Sequence, residues 1–430
     1  MDNVTHSLVG LAVGEGICRW REFRGETTSR LWKPFALFLS LTANNFPDLD
    51  VLYASLLGGK MGYLLHHRGH THTVLWAIPQ AALIFILGLW WSRRKNAAWN
   101  RKDSIWLGVI CILGTLLHVV LDALNTYGVH PFWPWDSRWF YGDSVFIVEP
   151  LFWVILVPPL VFAVKKAVWK GLIASFFILG IALPWLTPFV PMSLAVLVTL
   201  VGIVSLAVTL KLSPLPRFWV TAALALGVVA AFLWGSRYCR KIFETEAHRL
   251  EVHDVILSPM PANLFCWTIL TVETDKERDL YRLRRGVFAP FPNWFRPESC
   301  PSMRMKTSTL ALTPVARTTD PHLLWWGEWT GSLRKLQELA KTHCQAKGVL
   351  KFARAPFWMP ITPSEFVMGD LRYDTGKELG FSEFVFANQT SECPVAVPAW
   401  VEPRKDLLST ELSVNPTMLN FSKTPHEVVP

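Results

Sequence analysis

The chain of 430 residues has no Cys-x-x-Cys pair, and its seven cysteines stand singly. That spacing excludes zinc ribbons and thioredoxin-like redox pairs, which need two sulfurs close together. No internal repeat or low-complexity tract occurs, so solenoids and tethering linkers are set aside. The opening Met1-Asp2-Asn3-Val4-Thr5-His6 lacks a basic n-region, and a cleaved signal peptide is not expected. Charge is scarce at 17% of residues against 51% hydrophobic, with a mean hydropathy of +0.29. A soluble globular domain seldom has that balance, whereas a protein with several membrane spans does.

Apolar stretches near the ~20 residues that a span needs run over 73–92, 104–124, 145–164, 168–187, 190–210 and 217–236. Residues 3–17 and 35–57 are also apolar. The first is short, and the second is interrupted by Asn44, Asn45 and Pro47. Interrupted segments are tolerated where they line a protein-enclosed cavity.

A net charge of +9 would suggest nucleic acid, but the basic residues fall between spans. Arg19, Arg21, Arg24, Arg30 and Lys33 form one such loop, Arg93, Arg94, Lys95, Arg101 and Lys102 a second, and Lys165, Lys166 and Lys170 a third. The positive-inside rule makes these loops cytoplasmic, and no nucleic-acid partner is expected. Followed from there, His6, Asp48, His67, His72, Asp122 and Asp143 fall at the opposite ends of their segments. Everything after Arg237 then lies outside the cytoplasm.

Ionisable groups at membrane depth are expensive, and chains that keep several generally use them. His118 and Asp122 stand i,i+4 on one helix face and can reach one metal or two adjacent ones. The plainer alternative is a histidine bonded inside the bundle and an aspartate closing a helix. In His66-His67-Arg68-Gly69-His70-Thr71-His72, the two candidate ligands are His67 and His72, with His66 and His70 as bystanders. Arg68 would repel a metal but hold a phosphoryl oxygen; a water-facing polar loop is the alternative. Asp48 and Asp50 suit metal coordination, or else an Asx-turn. His6 precedes Gly10 and Gly14 on one helix face, a small-residue strip for close packing that turns His6 inward. Asp143 and Glu149 lie too far apart to share a role, so one is expected as a ligand and the other as a partner for a histidine N–H.

The expected fold class is an all-α polytopic membrane bundle carrying a metal site, followed by a C-terminal α+β soluble domain. Residues 1–165 form the site-bearing domain, 166–236 additional transmembrane helices, 237–403 the extracytoplasmic α+β domain and 404–430 a loose tail. Alternating polarity predicts strands over 250–257 and 264–272, with further strands over 349–357 and 381–386. Helical spacing covers 333–346. Cys18 and Cys111 read as inert core thiols. Cys239, Cys266, Cys300, Cys344 and Cys393 could supply a disulfide or two, with connectivity left open.

Several of these motifs resemble one family jointly. They are Met1–Gly10 with Gly14-Glu15, Pro47-Asp48-Leu49-Asp50, the His66–His72 run, His118-Val119-Val120-Leu121-Asp122 with Thr126-Tyr127-Gly128, Pro131-Phe132, and Asp143-Ser144 with Glu149-Pro150. They look like the YdjM-type membrane-bound metal-dependent hydrolases, densely over 1–165, with Glu149 where that pattern has an aspartate. A more distant similarity is to zinc phospholipase C and the related single-strand nucleases, which hold zinc with an early His, an Asp and His-x-x-x-Asp. Those enzymes also use their N-terminal amine, a role for which nothing in the sequence marks Met1.

The resemblance implies a hydrolase of the bacterial inner membrane, multi-pass, with a divalent metal, zinc foremost, as one to three ions. The expected ligands are drawn from His6, Asp48, His67, His72, His118, Asp122 and Glu149. Metal-activated water would attack a phosphoester, such as one carried on a lipid, with Asp50 or Asp143 as proton acceptor and Arg68 on the phosphoryl group. A metal or proton transporter, and a non-catalytic scaffold with a structural metal, remain the rivals.

Overall fold

The computed structural model describes residues 1–97, 99–245, 249–301, 311–316, 320–388, 393–394 and 396–408. Helix α1 (Asn3–Phe23) starts at Asp2, whose carboxylate accepts from Thr5 N, the usual use of an aspartate N-cap. Helix α2 (Trp32–Ala43) stops at Asn44. A 3-10 turn, Phe46–Leu49, and the short helices α3 (Asp50–Ala54) and α4 (Gly59–His66) follow. A second 3-10 turn, His70–His72, leads into α5 (Val74–Arg94). Asn100 and Asp103 close a reciprocal capping box at the start of α6 (Arg101–Ala123). Then come α7 (Pro150–Ala163), α8 (Ala167–Leu186), α9 (Met192–Lys211) and α10 (Pro214–Thr245).

Five of these, α5, α6, α8, α9 and α10, are long and apolar enough to cross a membrane. The segment 145–164 is shorter than its hydropathy suggests. The amides of Ser144 and Val145 donate to Leu124 O, and the helix begins only at Pro150. Proline suits that first position because its missing N–H would have no partner there. Helix α7 is nevertheless the centre of the second half of the bundle, packed against α1, α8, α9 and α10. Helix α10 continues past residue 236 to Thr245.

In the first half, α1 and α6 pack on α2 from two sides. At the end of the bundle carrying the basic loops, buried charges are paired: Glu15 with Arg19 and Lys33, and Arg21 with Asp103 at 2.8 Å.

The C-terminal region is α+β. Strands β1 (Glu251–Met260), β2 (Asn263–Asp275), β3 (Leu280–Phe288), β4 (Thr313–Pro314) and β5 (Leu323–Ser332) form an antiparallel sheet in the order β1-β2-β3-β5-β4. The helical segment after β5 divides at His343 into α11 (Leu333–Thr342) and α12 (Cys344–Leu350), because the His343 ring accepts from Ala346 N and caps a new helix. Strand β6 (Pro356–Thr362) therefore starts later than the strand expected at 349–357, whose first residues complete α12. With β7 (Glu365–Asp370) and β8 (Phe384–Ala387) it makes a second antiparallel sheet. Of the tail expected to be loose, Lys405–Leu408 form α13 and bury Leu407; residues 409–430 lie outside the described residues.

Two disulfides, Cys266–Cys300 and Cys344–Cys393, staple the C-terminal region, while Cys18, Cys111 and Cys239 are free and buried. This region sits directly on the bundle. Leu64 and Tyr127 of the helical part belong to the same apolar core as Leu336, Val349 and Phe357. Arg354 joins the two parts with a fork of charge-assisted bonds, both nitrogens 2.8 Å from the Asp143 carboxylate and Nε 2.7 Å from Asp254.

Candidate metal centre

The break after α2 brings together side chains from four elements. Asn44 is the pivot. Its backbone oxygen lies 2.8 Å from His118 Nδ1, and its side-chain oxygen 3.2 Å from His6 Nδ1. Both acceptors call for a proton on Nδ1, so Nε2 is the nitrogen each neutral ring would offer to a metal. His72 is held likewise. Its Nδ1 lies 3.0 Å from Thr71 Oγ1 and 3.3 Å from Asp50 Oδ2.

The Nε2 atoms of His72 and His118 point at one place, with His6 Nε2 at its edge. His72 Nε2 and His118 Nε2 face each other at 3.0 Å. Around them lie Asp48 Oδ1, 3.3 Å from His72, and Asp122 Oδ2, 3.2 Å from His72 and 3.4 Å from His118. His6 Nε2 is 3.2 Å from Asp122 Oδ1, and its ring stacks on His118 with centroids 4.0 Å apart. Asp48, His72, His118 and Asp122 each offer a ligand atom within 4.8 Å of the others. Asp48, Asp50 and His67 form an overlapping second group.

Two imidazole Nε2 atoms facing each other and two buried carboxylates need positive charge between them, supplied by protons on the rings or by a metal ion. Asp122 Oδ2 is buried with no hydrogen-bond partner among the described residues, although such atoms are nearly always satisfied. The donor set, neutral imidazole with carboxylate, is that of zinc and its neighbours. The residues present therefore fit a divalent metal. The outward bonds of His6, His72 and His118 to Asn44 and Asp50 are the supports by which proteins orient metal-binding histidines.

Asp50 occupies a supporting position. It accepts from His67 Nδ1 at 2.9 Å, Arg68 N at 2.9 Å and Thr71 Oγ1 at 2.8 Å. Burial would raise the carboxyls of Asp48 and Asp50, but the surrounding imidazoles, His118 and His72 on Asp48 and His67 and His72 on Asp50, hold both well below the usual range. Arg68 reaches Asp122 Oδ1 from Nη2 at 3.1 Å. Most of the cluster is sealed; Asp48 and His67 keep 14% and 11% of their side chains exposed and mark its opening.

Two residues expected at the site are brought elsewhere. Asp143 has both carboxylate oxygens on Arg354, with Arg240 at 3.3 Å, so it serves the joint with the C-terminal region. Glu149 caps α7, accepting from Leu151 N at 3.2 Å and from Ala262 N at 3.0 Å. Their separation from the cluster follows from the turn at 144–145, which docks on Leu124 and sends the following residues toward the sheet. Conversely, the Met1 amine is buried against Asp122. Asn44 also went unassigned as a site residue, although it forms half of the Asn-Asn interruption.

A groove of about 360 Å³ runs between α2 and α5, lined by Phe38, Leu39, Phe46, Ile84, Leu87 and Trp91. Phe46 shares its 3-10 turn with Asp48.

The molecule is thus a multi-pass membrane protein with a buried His/Asp cluster that could hold a metal ion. Residues 1–188 match the family model described as YdjM inner membrane protein. Inner membrane protein YbcI of Escherichia coli (strain K12) is 31% identical over 150 residues, which is 34% of this chain and 76% of that protein. The chain belongs to the YdjM inner membrane protein family, a multi-pass family of the inner membrane. No solved structure matches it.

Proposed function

We propose that the protein is a metal-dependent phosphoester hydrolase acting on lipid-borne substrate at the extracytoplasmic face of the inner membrane. The observation that carries this reading is the convergence of the His72 and His118 lone pairs on Asp48 and Asp122, with histidine tautomers set by Asn44 and Asp50. His6 stands next to that set as a further ligand. Zinc held there would supply a water whose pKa is lowered to about 7. Arg68 orients the phosphoryl group with its planar fork. Asp48, whose Oδ1 faces the metal site, would take the proton on its other oxygen at the opening, since both oxygens of Asp50 and of Asp143 are already committed to donors.

The apolar groove ending at Phe46 supports a lipid substrate, because an acyl chain seated between α2 and α5 would bring its headgroup to Asp48. The two disulfides support an oxidising, extracytoplasmic C-terminal region. The test is metal analysis of the purified full chain together with phosphodiester turnover in lipid nanodiscs. Stoichiometric zinc is expected, and turnover that is lost on chelation and restored by zinc. Asp122→Asn should lose metal and turnover together, by about 100-fold or more, as for a group acting in the transition state. Metal retained tightly by a wild-type protein that turns over no phosphoester would favour a structural ion in a scaffold instead.

A further inference from the structure

The unpaired buried atoms around Arg68 are mostly donors. Arg68 reaches the metal cluster with Nη2 and Asn125 Oδ1 with Nη1, each at 3.1 Å. Asn125 Oδ1 also accepts from Tyr127 N at 2.9 Å. Two donors on that atom fix the amide orientation and leave Nδ2 as the outward group. Asn125 Nδ2 is buried without a hydrogen-bond partner among the described residues, and so are Arg68 Nε and the hydroxyls of Tyr127 and Tyr373. The Arg68 guanidinium lies 4.7 Å over the Tyr127 ring, whose centroid is 6.1 Å from that of Tyr373.

Tyr373 belongs to the C-terminal region and is held against the bundle by its neighbour Arg372, which donates to Thr126 O. Asn125 and Tyr127 thus pack on the Arg68 guanidinium with Tyr373 beside Tyr127, and each of the three, like Arg68 Nε, carries an unpaired buried donor. Each is costly when unpaired, and native proteins rarely gather them without a ligand to satisfy them. Burial pushes the Tyr373 hydroxyl up to about 12, so it remains a donor at physiological pH.

We propose that Arg68, Asn125, Tyr127 and Tyr373 cradle the second phosphoryl group of a diphosphate, while the metal centre holds the first. The inference rests on the phosphoester reading above and narrows its substrate class. Arg68 is the link, one nitrogen on each side, in a planar fork suited to phosphoryl oxygens. The C-terminal region thereby becomes part of the substrate site, through Tyr373.

The experiment uses the zinc-loaded full chain in nanodiscs, titrated calorimetrically with inorganic phosphate, inorganic pyrophosphate and geranyl diphosphate, with metal content measured after each titration. Pyrophosphate should bind about 10-fold or more tighter than phosphate, equivalent to at least about 1.4 kcal/mol. Tyr373→Phe and Asn125→Leu should each erase most of that preference while zinc content stays at the wild-type level. Geranyl diphosphate binding tighter than pyrophosphate assigns the diphosphate to a membrane-borne ester, and equal binding assigns it to a soluble one. Zinc and phosphate bound normally, with no preference for pyrophosphate or with a preference that both variants keep, overturns the cradle and leaves the hydrolase reading standing. A wild-type chain that binds neither zinc nor phosphate overturns the hydrolase reading, and the cradle falls with it.

Discussion

Arg68 adopts a left-handed backbone with φ 58°, where side chains other than glycine, asparagine and aspartate are uncommon. Its amide donates to Asp50, which fixes the turn, and the guanidinium is thereby delivered between Asp122 and Asn125. A residue retained in a strained conformation at a buried polar site points to use rather than packing. Arg68→Lys keeps the charge but loses the fork. Metal content should remain unchanged while phosphodiester turnover falls about 100-fold, the signature of a lost contact to the reacting group. Full turnover in that variant would take Arg68 out of the mechanism.

Among the helices, the decisive feature is how closely α1 and α6 approach α2. A Cβ on Gly10 would meet Ser40 O at 2.7 Å and Asn44 Cβ at 3.0 Å, and one on Gly114 would meet Ala43 Cβ at 2.6 Å and Asn44 N at 3.2 Å. Both glycines therefore let their helices close on Asn44, which orients both His6 and His118. Gly114→Ala should push Asn44 away from His118 and weaken metal binding about 10–100-fold, the usual cost of losing a supporting hydrogen bond behind a ligand. Gly16→Ala is the control, since its added methyl meets nothing within 4 Å. Zinc titration of the two proteins distinguishes a precise helix contact from a general intolerance of α-helical substitution.

At the scale of the whole molecule, the joint between bundle and C-terminal region depends on Arg354, buried between Asp143 and Asp254. Removing the cation leaves Asp143 with Arg240 and Asp254 with Arg404 as their remaining partners, so Arg354→Ala should destabilise the joint by up to about 3 kcal/mol, the lower end for a buried pair broken outright. Increased proteolysis between the two parts would report it. Burial would raise the Asp254 carboxyl, but Arg354 and Arg404 hold it well below the usual range. A carboxyl depressed in the folded state contributes stability that is present above its unfolded value, about 3.9, and lost as pH falls toward the folded value. Thermal melts should therefore show Asp254→Asn less stable than wild type at pH 7, with the gap narrowing below about pH 4. Topology belongs to this scale too. Reporters fused after residues 97 and 168 should be cytoplasmic, and one at the C-terminus outside; a cytoplasmic C-terminus would put the disulfides in a reducing compartment and remove the extracytoplasmic assignment.

Much of this protein is legible in local sequence because membrane helices are governed by composition. A run of apolar residues must satisfy its backbone internally, so hydropathy suffices to find α5, α6, α8, α9 and α10. The capping residues and the i,i+4 spacing of His118 and Asp122 are equally local. The break at Asn44-Asn45-Pro47 could be read as a cavity-lining interruption, but not as the pivot that sets two histidine tautomers, since that depends on His6 and His118 arriving from other helices. Strand β3 stayed hidden because its arginines obscure the alternation, and Arg285 is buried where it donates to Asp374 O, a partner distant in sequence. Asp143 and Glu149 carried the same chemistry as the ligands. Only the docking of residues 144–145 on Leu124, and the partners Arg354 and Ala262 from distant sequence, turned them into a domain joint and a helix cap. The elements follow from short-range pattern and solvent, while the grouping of side chains at one site is a matter of long-range packing, which only the folded chain decides.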